Sequence, residues 1–374
     1  MSPYSKDDFG INPLMFYYEV TQACDLVCKH CRASAQEKPS ADELPTDVSL
    51  RLIEQVASFP RKPHICFTGG DPLKRADIFT LIEFAVKQGL SVALTPSATP
   101  LATRKMFANA KNAGVQAFGI SLDAPCSEIH DAFRGFAGSF AKTQEMLEIA
   151  KELHVPVQVN TSITRRNVHL IDDIAEYLAC FGGVMMWSVF FLIPVGRGLE
   201  EQRITPQEYE DVFAKLWHHA QTKPFAVKTT EAPHYRRFVL RLGGNPLDIP
   251  RPFRSVTDDN ISPPDKVRHR APLGVTDGRG IMFVANNGKI FPAGFLPVEC
   301  GQFPNDSVVD VYQHHPVFKN LQNPDNYKGR CGQCEYRYVC GGSRSRAFAV
   351  TGDYLESEPD CIYEIGQDAV YYGE

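Results

Sequence analysis

The stretch LMFYYEVTQACDLVCKHC, residues 14–31, decides the reading of this chain. Its first half, Leu14–Thr21, is rich in aromatic and aliphatic residues and predicts a buried β-strand. Its second half places Cys24, Cys28 and Cys31 in a Cys-x3-Cys-x2-Cys loop directly after that strand. Three thiolates at this spacing hold three corners of an iron–sulfur cube and leave the fourth iron open, and an open metal position is a reactive one. On the residues alone, a zinc knuckle or three unrelated core cysteines remain as alternatives.

Outward from this loop the chain alternates. Strands are predicted at Leu14–Thr21, His64–Phe67, Leu90–Thr95, Ala117–Leu122, Val157–Ile163 and Met185–Leu192. Helices are predicted between them at Val48–Phe59, Ile78–Gln88, Thr103–Ala113, Phe140–Leu153 and Leu170–Phe181. Gly89 and Gly114 suit left-handed caps after two of the helices. This alternation predicts an α/β fold with a parallel sheet and right-handed crossovers. Periodicity leaves an open doubly wound sheet and a partial barrel equally available. The active site is expected at the C-terminal ends of the strands, where the cysteine loop sits.

The 374 residues allow two domains, and a hydrophobic content of 43% with 22% charged residues is ordinary for a soluble protein. A net charge of −5 argues against charge-driven nucleic-acid binding. No apolar run is long enough to span a membrane and the N-terminal residues carry no secretory pattern, so the expected location is cytoplasmic. Eleven cysteines in such a chain point to metal ligation rather than disulfides.

A second cysteine set, Cys331, Cys334, Cys340 and Cys361, has four thiolates and closes a site. Thiolate softness leaves structural zinc and a fully ligated iron–sulfur cluster both open. It follows a hairpin signature around Asn286-Asn287-Gly288. Between the two regions lies a helical segment, Pro206–Thr222, and a stretch rich in Pro and Arg with Pro246, Pro250, Pro252, Pro263 and Pro264, read as bridging loops. Within it, Glu231, His234, Tyr235, Arg236 and Arg237 form a candidate substrate cluster, in which Arg forks hold carboxylates and His or Tyr relays a proton. Arg134, Arg197, Arg344 and Arg346 are further basic candidates, and Trp187 and Phe190 are candidate pocket walls on the sixth strand. Cys300 reads as a loop thiol, and Cys66, Cys126 and Cys180 as structural cysteines.

The three-cysteine loop, Thr68-Gly69-Gly70-Asp71-Pro72 after the second strand, and Gly119-Ile120-Ser121-Leu122-Asp123-Ala124 on the fourth together resemble the radical S-adenosylmethionine superfamily. The resemblance implies a partial (β/α)6 barrel over 14–215 and a bridging segment over 216–279. It also implies a small SPASM-like C-terminal domain over 280–374. It implies that Cys24, Cys28 and Cys31 hold a catalytic [4Fe-4S] cluster whose open iron binds S-adenosylmethionine, which reductive cleavage converts to a hydrogen-abstracting radical. Gly69, Gly70, Asp71, Ser121, Asp123 and Asn160 match the cofactor-contacting positions. Asp71 replaces the usual Glu, and Thr95-Pro96-Ser97 departs from the usual Thr-Asn-Gly. A full SPASM domain has seven cysteines; Phe291–Phe295 and Arg344 stand where others would lie, so one auxiliary [4Fe-4S] cluster is expected on Cys331, Cys334, Cys340 and Cys361. The segment Cys340–Ala347 is similar to the subgroup that remodels propionate side chains of tetrapyrroles in haem d1 and alternative haem b biosynthesis. The expected function is therefore modification of a haem-type cofactor precursor, with flavodoxin or ferredoxin as the kind of electron donor. A peptide maturase acting on a ribosomal precursor, and a non-enzymatic cluster or zinc scaffold, are the competing expectations.

Overall fold

The structure, a computed structural model, describes residues 4–247 and 272–367. Pro250, Pro252, Pro263 and Pro264 of the expected bridging loops lie outside the described residues. Seven parallel strands form the main sheet: β1 (Met15–Glu19), β2 (His64–Thr68), β3 (Ser91–Leu94), β4 (Ala117–Ser121), β5 (Val157–Ile163), β6 (Val184–Phe191) and β7 (Ala226–Thr230). β8 (Ile281–Val284) pairs parallel to the free side of β1, and β9 (Lys289–Phe291) and β10 (Gly301–Gln302) extend it antiparallel. The order is β10-β9-β8-β1-β2-β3-β4-β5-β6-β7, with β7 and β10 unpaired to each other, so the sheet curls without closing.

Alternation along each strand sorts its side chains. Phe16 and Tyr18 of β1, Ile65 and Phe67 of β2, and Val157, Val159 and Ile163 of β5 pack outward into one core. Their burial against the helices stabilises the layer by about 1.5–3 kcal/mol per large side chain. The helices that cover them are α1 (Thr46–Ala57), α2 (Ile78–Lys87), α3 (Arg104–Ala113), α4 (Ser127–Arg134), α5 (Ser139–Glu152), α6 (Ile171–Phe181) and α7 (Pro206–Thr222). Thr103 caps α3 through its side chain, and Gly114 ends it at φ 105°, a conformation glycine adopts without strain. Thr205 and Glu208 make a reciprocal capping box on α7.

The opposite strand faces, with Tyr17, Thr95, Ser121, Gln158 and Asn160 half-buried, line an open lumen. After β7 comes α8 (His234–Arg241), and the C-terminal part adds α9 (Val308–His314), α10 (Pro316–Gln322), α11 (Gly329–Gln333) and α12 (Arg344–Thr351). The hairpin is thus an extension of the main sheet, and β7 and α8 fall within the stretch expected as bridging loops. One smaller expectation needs correction: Cys126 and Cys180 are exposed, just before α4 and near the end of α6. Cys300 lies outside any helix or strand, just before β10, with its side chain buried. Among the described residues no helix is long and apolar enough to cross a membrane.

Candidate active site

The cysteine loop is fixed by the chain on either side of it. Beyond β1 and β2 the two strand extensions stay in register: Val20 N–H donates to Thr68 O (2.9 Å), Gly70 N–H to Thr21 O (2.8 Å) and Asp71 N–H to Ala23 O (2.7 Å). The far side closes where Cys24 N–H meets Gln36 O at 2.7 Å. This contact explains the paired glycines. A Cβ on Gly69 would lie 2.3 Å from Thr21 O, and one on Gly70 would lie 2.4 Å from Ala23 O. Gly70→Ala is therefore expected to push the two extensions apart at a cost of about 1–3 kcal/mol. It should lower iron retention by the reconstituted protein, with far-UV circular dichroism unchanged; full iron retention would refute this role for the contact.

Within the loop Cys24 and Cys28 are buried and Cys31 is partly exposed. Donors converge on the sulfurs: Leu26 N–H on Cys24 (3.4 Å), Ala35 N–H on Cys31 (3.4 Å) and Arg134 Nη1 on Cys28 (3.9 Å). Burial pushes the Cys24 thiol up to about 11 and the Cys28 thiol upward. Without a cation these groups are neutral thiols; metal charge would make them thiolates, and the N–H donors and Arg134 already face the negative charge that results. The donor set fits an iron–sulfur cluster.

Asp71 and Asp123, expected at the cofactor, are turned into the protein. The Asp71 carboxyl is fully buried and accepts from Thr99 Oγ1 (2.6 Å), Leu73 N–H (3.1 Å) and Ser97 N–H (3.3 Å). It ties the β2 loop to the β3 loop, and Ser97 returns a bond to Gly70 O at 2.7 Å. Asp123, also fully buried, accepts from Ser162 N–H (2.8 Å) and pairs with Arg134 Nη2 (2.6 Å). It therefore positions the guanidinium beside Cys28. Its own N–H donates to His130 Nδ1 (3.1 Å), and burial lowers His130 to about 3, so that ring is neutral. Ser121 and Asn160 do face the lumen, adjacent in register. Asn160 Oδ1 accepts from Gln158 Nε2 at 2.8 Å.

The second cysteine set surrounds a small cavity shared with His234, Arg237, Tyr336 and Tyr363. Glu358 N–H (3.2 Å) and Arg344 Nη2 (3.5 Å) reach Cys331, Tyr336 N–H reaches Cys334 (3.4 Å), and Gly342 N–H reaches Cys340 (3.5 Å). Burial pushes Cys334 up to about 11 and raises Cys340 and Cys361. His234 is fully buried with neither ring nitrogen hydrogen-bonded. Orphaned buried nitrogens, backbone donors and four thiols around one hollow fit a sulfur-rich cluster there.

The Glu231–Arg237 cluster is not brought together as one substrate surface. Glu231 ends β7 at a left-handed φ of 60° and accepts from Ser343 Oγ at 2.5 Å. Burial, then the adjacent Asp277, pushes its carboxyl well above the usual range. His234 stacks on Tyr209 with ring centres 5.2 Å apart, and Tyr235 is 4% exposed in the core. Arg236 donates to Val275 O (2.7 Å) and Val339 O (3.2 Å), and Arg237 pairs with Glu210. The other basic candidates are engaged as well: Arg197 with Cys28 O and Ala35 O (both 2.9 Å), Arg344 with Glu356 O (2.6 Å), and Arg346 with Glu358 (3.0 Å) and Asp360 (3.2 Å). Trp187 is core, its Nε1 donating to Thr161 Oγ1 (2.8 Å), whereas Phe190 is half-buried beside Phe295, ring centres 6.3 Å apart. Sequence reasoning missed Asp277 and Glu358.

Residues 18–178 match the profile described as the radical SAM superfamily. The chain is 37% identical to the AdoMet-dependent heme synthase of Oleidesulfovibrio alaskensis, over 97% of this chain and 90% of that protein. It is 36% identical to the AdoMet-dependent heme synthase of Methanosarcina barkeri, over 95% and 98% respectively. Its fold matches Streptococcus suis SuiB bound to S-adenosylmethionine with a TM-score of 0.67 at 14% identity, covering 94% of this chain and 78% of that one.

Proposed function

This chain belongs to the radical SAM superfamily, and from that membership we propose that it converts propionate side chains of an iron porphyrin to less carboxylated groups in haem formation. It is an S-adenosylmethionine-dependent enzyme acting on haem-type precursors. The observation that carries the reading is similarity to haem synthases over nearly the whole of both chains. That similarity disfavours the scaffold reading and ranks the peptide-maturase reading second.

Cys24, Cys28 and Cys31 would hold the catalytic [4Fe-4S] cluster, with S-adenosylmethionine at the open iron. When bound, these groups supply reductive cleavage of the sulfonium and hydrogen abstraction from substrate. The Gly69–Gly70 backbone, Ser121 and Asn160 offer polar contacts around the lumen mouth, while Asp71 and Asp123 hold that mouth in shape. Cys331, Cys334, Cys340 and Cys361 would hold one auxiliary [4Fe-4S] cluster, an electron-transfer site. Loss of a hydrogen atom and carbon dioxide from a propionate leaves a vinyl group and one electron, so the reaction requires such a sink. The external reductant would be a flavodoxin or ferredoxin.

The test is anaerobic turnover of cluster-loaded protein with dithionite, S-adenosylmethionine and iron coproporphyrin III. The expected result is 5′-deoxyadenosine formed together with porphyrin products that have lost carboxyl groups, both read by mass spectrometry. 5′-deoxyadenosine without porphyrin change would keep the radical chemistry and overturn the substrate.

A further inference from the structure

We infer that α8 presents His234 and Arg237 to the second cysteine set as side-chain hydrogen-bond donors that raise the reduction potential of its cluster and fit it to take up an electron. The inference rests on the reading that this set holds an auxiliary iron–sulfur cluster. The two residues lie about one turn apart on α8, and both line the hollow shared by Cys331, Cys334, Cys340 and Cys361. His234 is 0% and Arg237 2% exposed.

Each keeps hydrogen-bonding capacity that the described residues do not use. Both ring nitrogens of His234 are buried without a partner. Aromatic rings hold the imidazole in place: Tyr209 stacks on it, and Phe213 meets it edge to face with ring centres 4.8 Å apart. Burial keeps the imidazole neutral, so it carries one N–H. Arg237 gives Nη1 (3.2 Å) and Nη2 to the Glu210 carboxylate and lies over the Tyr363 ring at 5.2 Å. Its Nε is buried with no partner among the described residues. Buried donors are nearly always paired, and a loaded cluster supplies acceptors on its sulfurs. The charge of Arg237 also reaches these sulfurs: burial raises the Cys340 and Cys361 thiols, and Arg237 pulls both back.

Reduction adds a negative charge to a buried cluster. Burial disfavours that charge, whereas a fixed cation and N–H groups at sulfur favour it and so raise the potential. The vinyl-forming step proposed above leaves an electron that needs a sink, and a raised potential makes the second set one. The competing role for both residues is packing, with His234 filling space between Tyr209 and Phe213 and Arg237 tying α8 to Glu210 of α7.

The experiment is a redox titration followed by electron paramagnetic resonance. It uses the full chain carrying Cys24→Ala, Cys28→Ala and Cys31→Ala, so that only the second set is loaded. His234→Phe, which keeps the ring packing, should lower the ratio of reduced to oxidised cluster at a fixed potential about tenfold, a shift of about 59 mV to lower potential. His234→Gln, which keeps an N–H, should recover part of that loss. Arg237→Gln should shift the potential in the same direction. A packing role would lower the denaturant midpoint and leave the potential unchanged. A second measurement needs no variant on α8: isotopic labelling of histidine nitrogen should alter the nitrogen echo modulation of the reduced cluster, since His234 is the histidine that lines this hollow. An unchanged potential in His234→Phe, or the absence of a histidine coupling, overturns the inference while the cluster reading stands. Protein that takes up no iron–sulfur cluster on this set overturns both.

Discussion

Replacing Cys28 by alanine is expected to abolish S-adenosylmethionine cleavage while leaving the fold in place. Cys28 sits at the centre of the loop, 8% exposed, with Arg134 aimed at its sulfur and Arg197 bonded to its carbonyl. Alanine keeps the carbonyl and the loop's backbone bonds, and it removes one small buried thiol, a loss of about 1 kcal/mol. The chemical loss is far larger. Two thiolates hold a four-iron cluster poorly, and with it goes the reductive step, so 5′-deoxyadenosine formation should fall at least about 1,000-fold, the scale on which a missing catalytic group registers. The measurement pairs that assay with iron content and circular dichroism. Cys331→Ala is the contrast: it should lower iron content by a similar amount yet retain 5′-deoxyadenosine formation, because its sulfur belongs to the other set. Equal loss of cleavage in both variants would show that the two sets are not separate in function.

The division between these two sets was legible in the sequence because ligand spacing is local. The same holds for the strands: in Val157–Ile163 the polar Gln158, Asn160 and Ser162 alternate with Val157, Val159, Thr161 and Ile163, and β5 matches that range with the second set buried and the first half-buried. What was not legible depends on partners far along the chain. Asp71 reads as a cofactor ligand from its motif, but its carboxyl is held by Thr99, 28 residues on. β7 and α8 looked like bridging loops because AVKTT is short and polar and HYRRFVLR is rich in arginine. Only the pairing with β6, and the carbonyls and Glu210 that receive Arg236 and Arg237, make them ordered elements. His234 likewise reads as a proton relay until the rings of Tyr209 and Phe213 enclose it; burial then lowers it to about 3 and leaves it neutral. A periodic pattern states which side is apolar, but not which distant group meets a charged side chain.

The second large effect is predicted at Arg346, where such a distant meeting joins the C-terminal segment to the barrel. Arg346 is fully buried at the start of α12 and pairs with Glu358 through Nη1 (3.0 Å) and with Asp360 through Nε (3.2 Å). Its Nη2 donates to Glu231 O (2.7 Å) at the end of β7. Glu358 in turn accepts from Ser343 N–H (2.7 Å), and its own N–H reaches the Cys331 sulfur (3.2 Å). One guanidinium therefore fixes the segment before Cys361, which also bonds the Cys331 sulfur, to the end of β7. Arg346→Met keeps the volume, leaves the buried Glu358 without its cation and leaves Asp360 with Arg203 alone (2.7 Å), which costs about 3–5 kcal/mol. The expected result is a lower denaturant midpoint together with faster loss of iron from the second cysteine set to a chelator. The double variant Arg346→Met with Glu358→Gln should be less destabilised than Arg346→Met alone, because neutralising Glu358 removes part of the uncompensated charge. That reversal is the decisive arm: additive losses in the double variant would show that Arg346 acts through packing, and that the docking of the second cysteine set does not depend on the ion network.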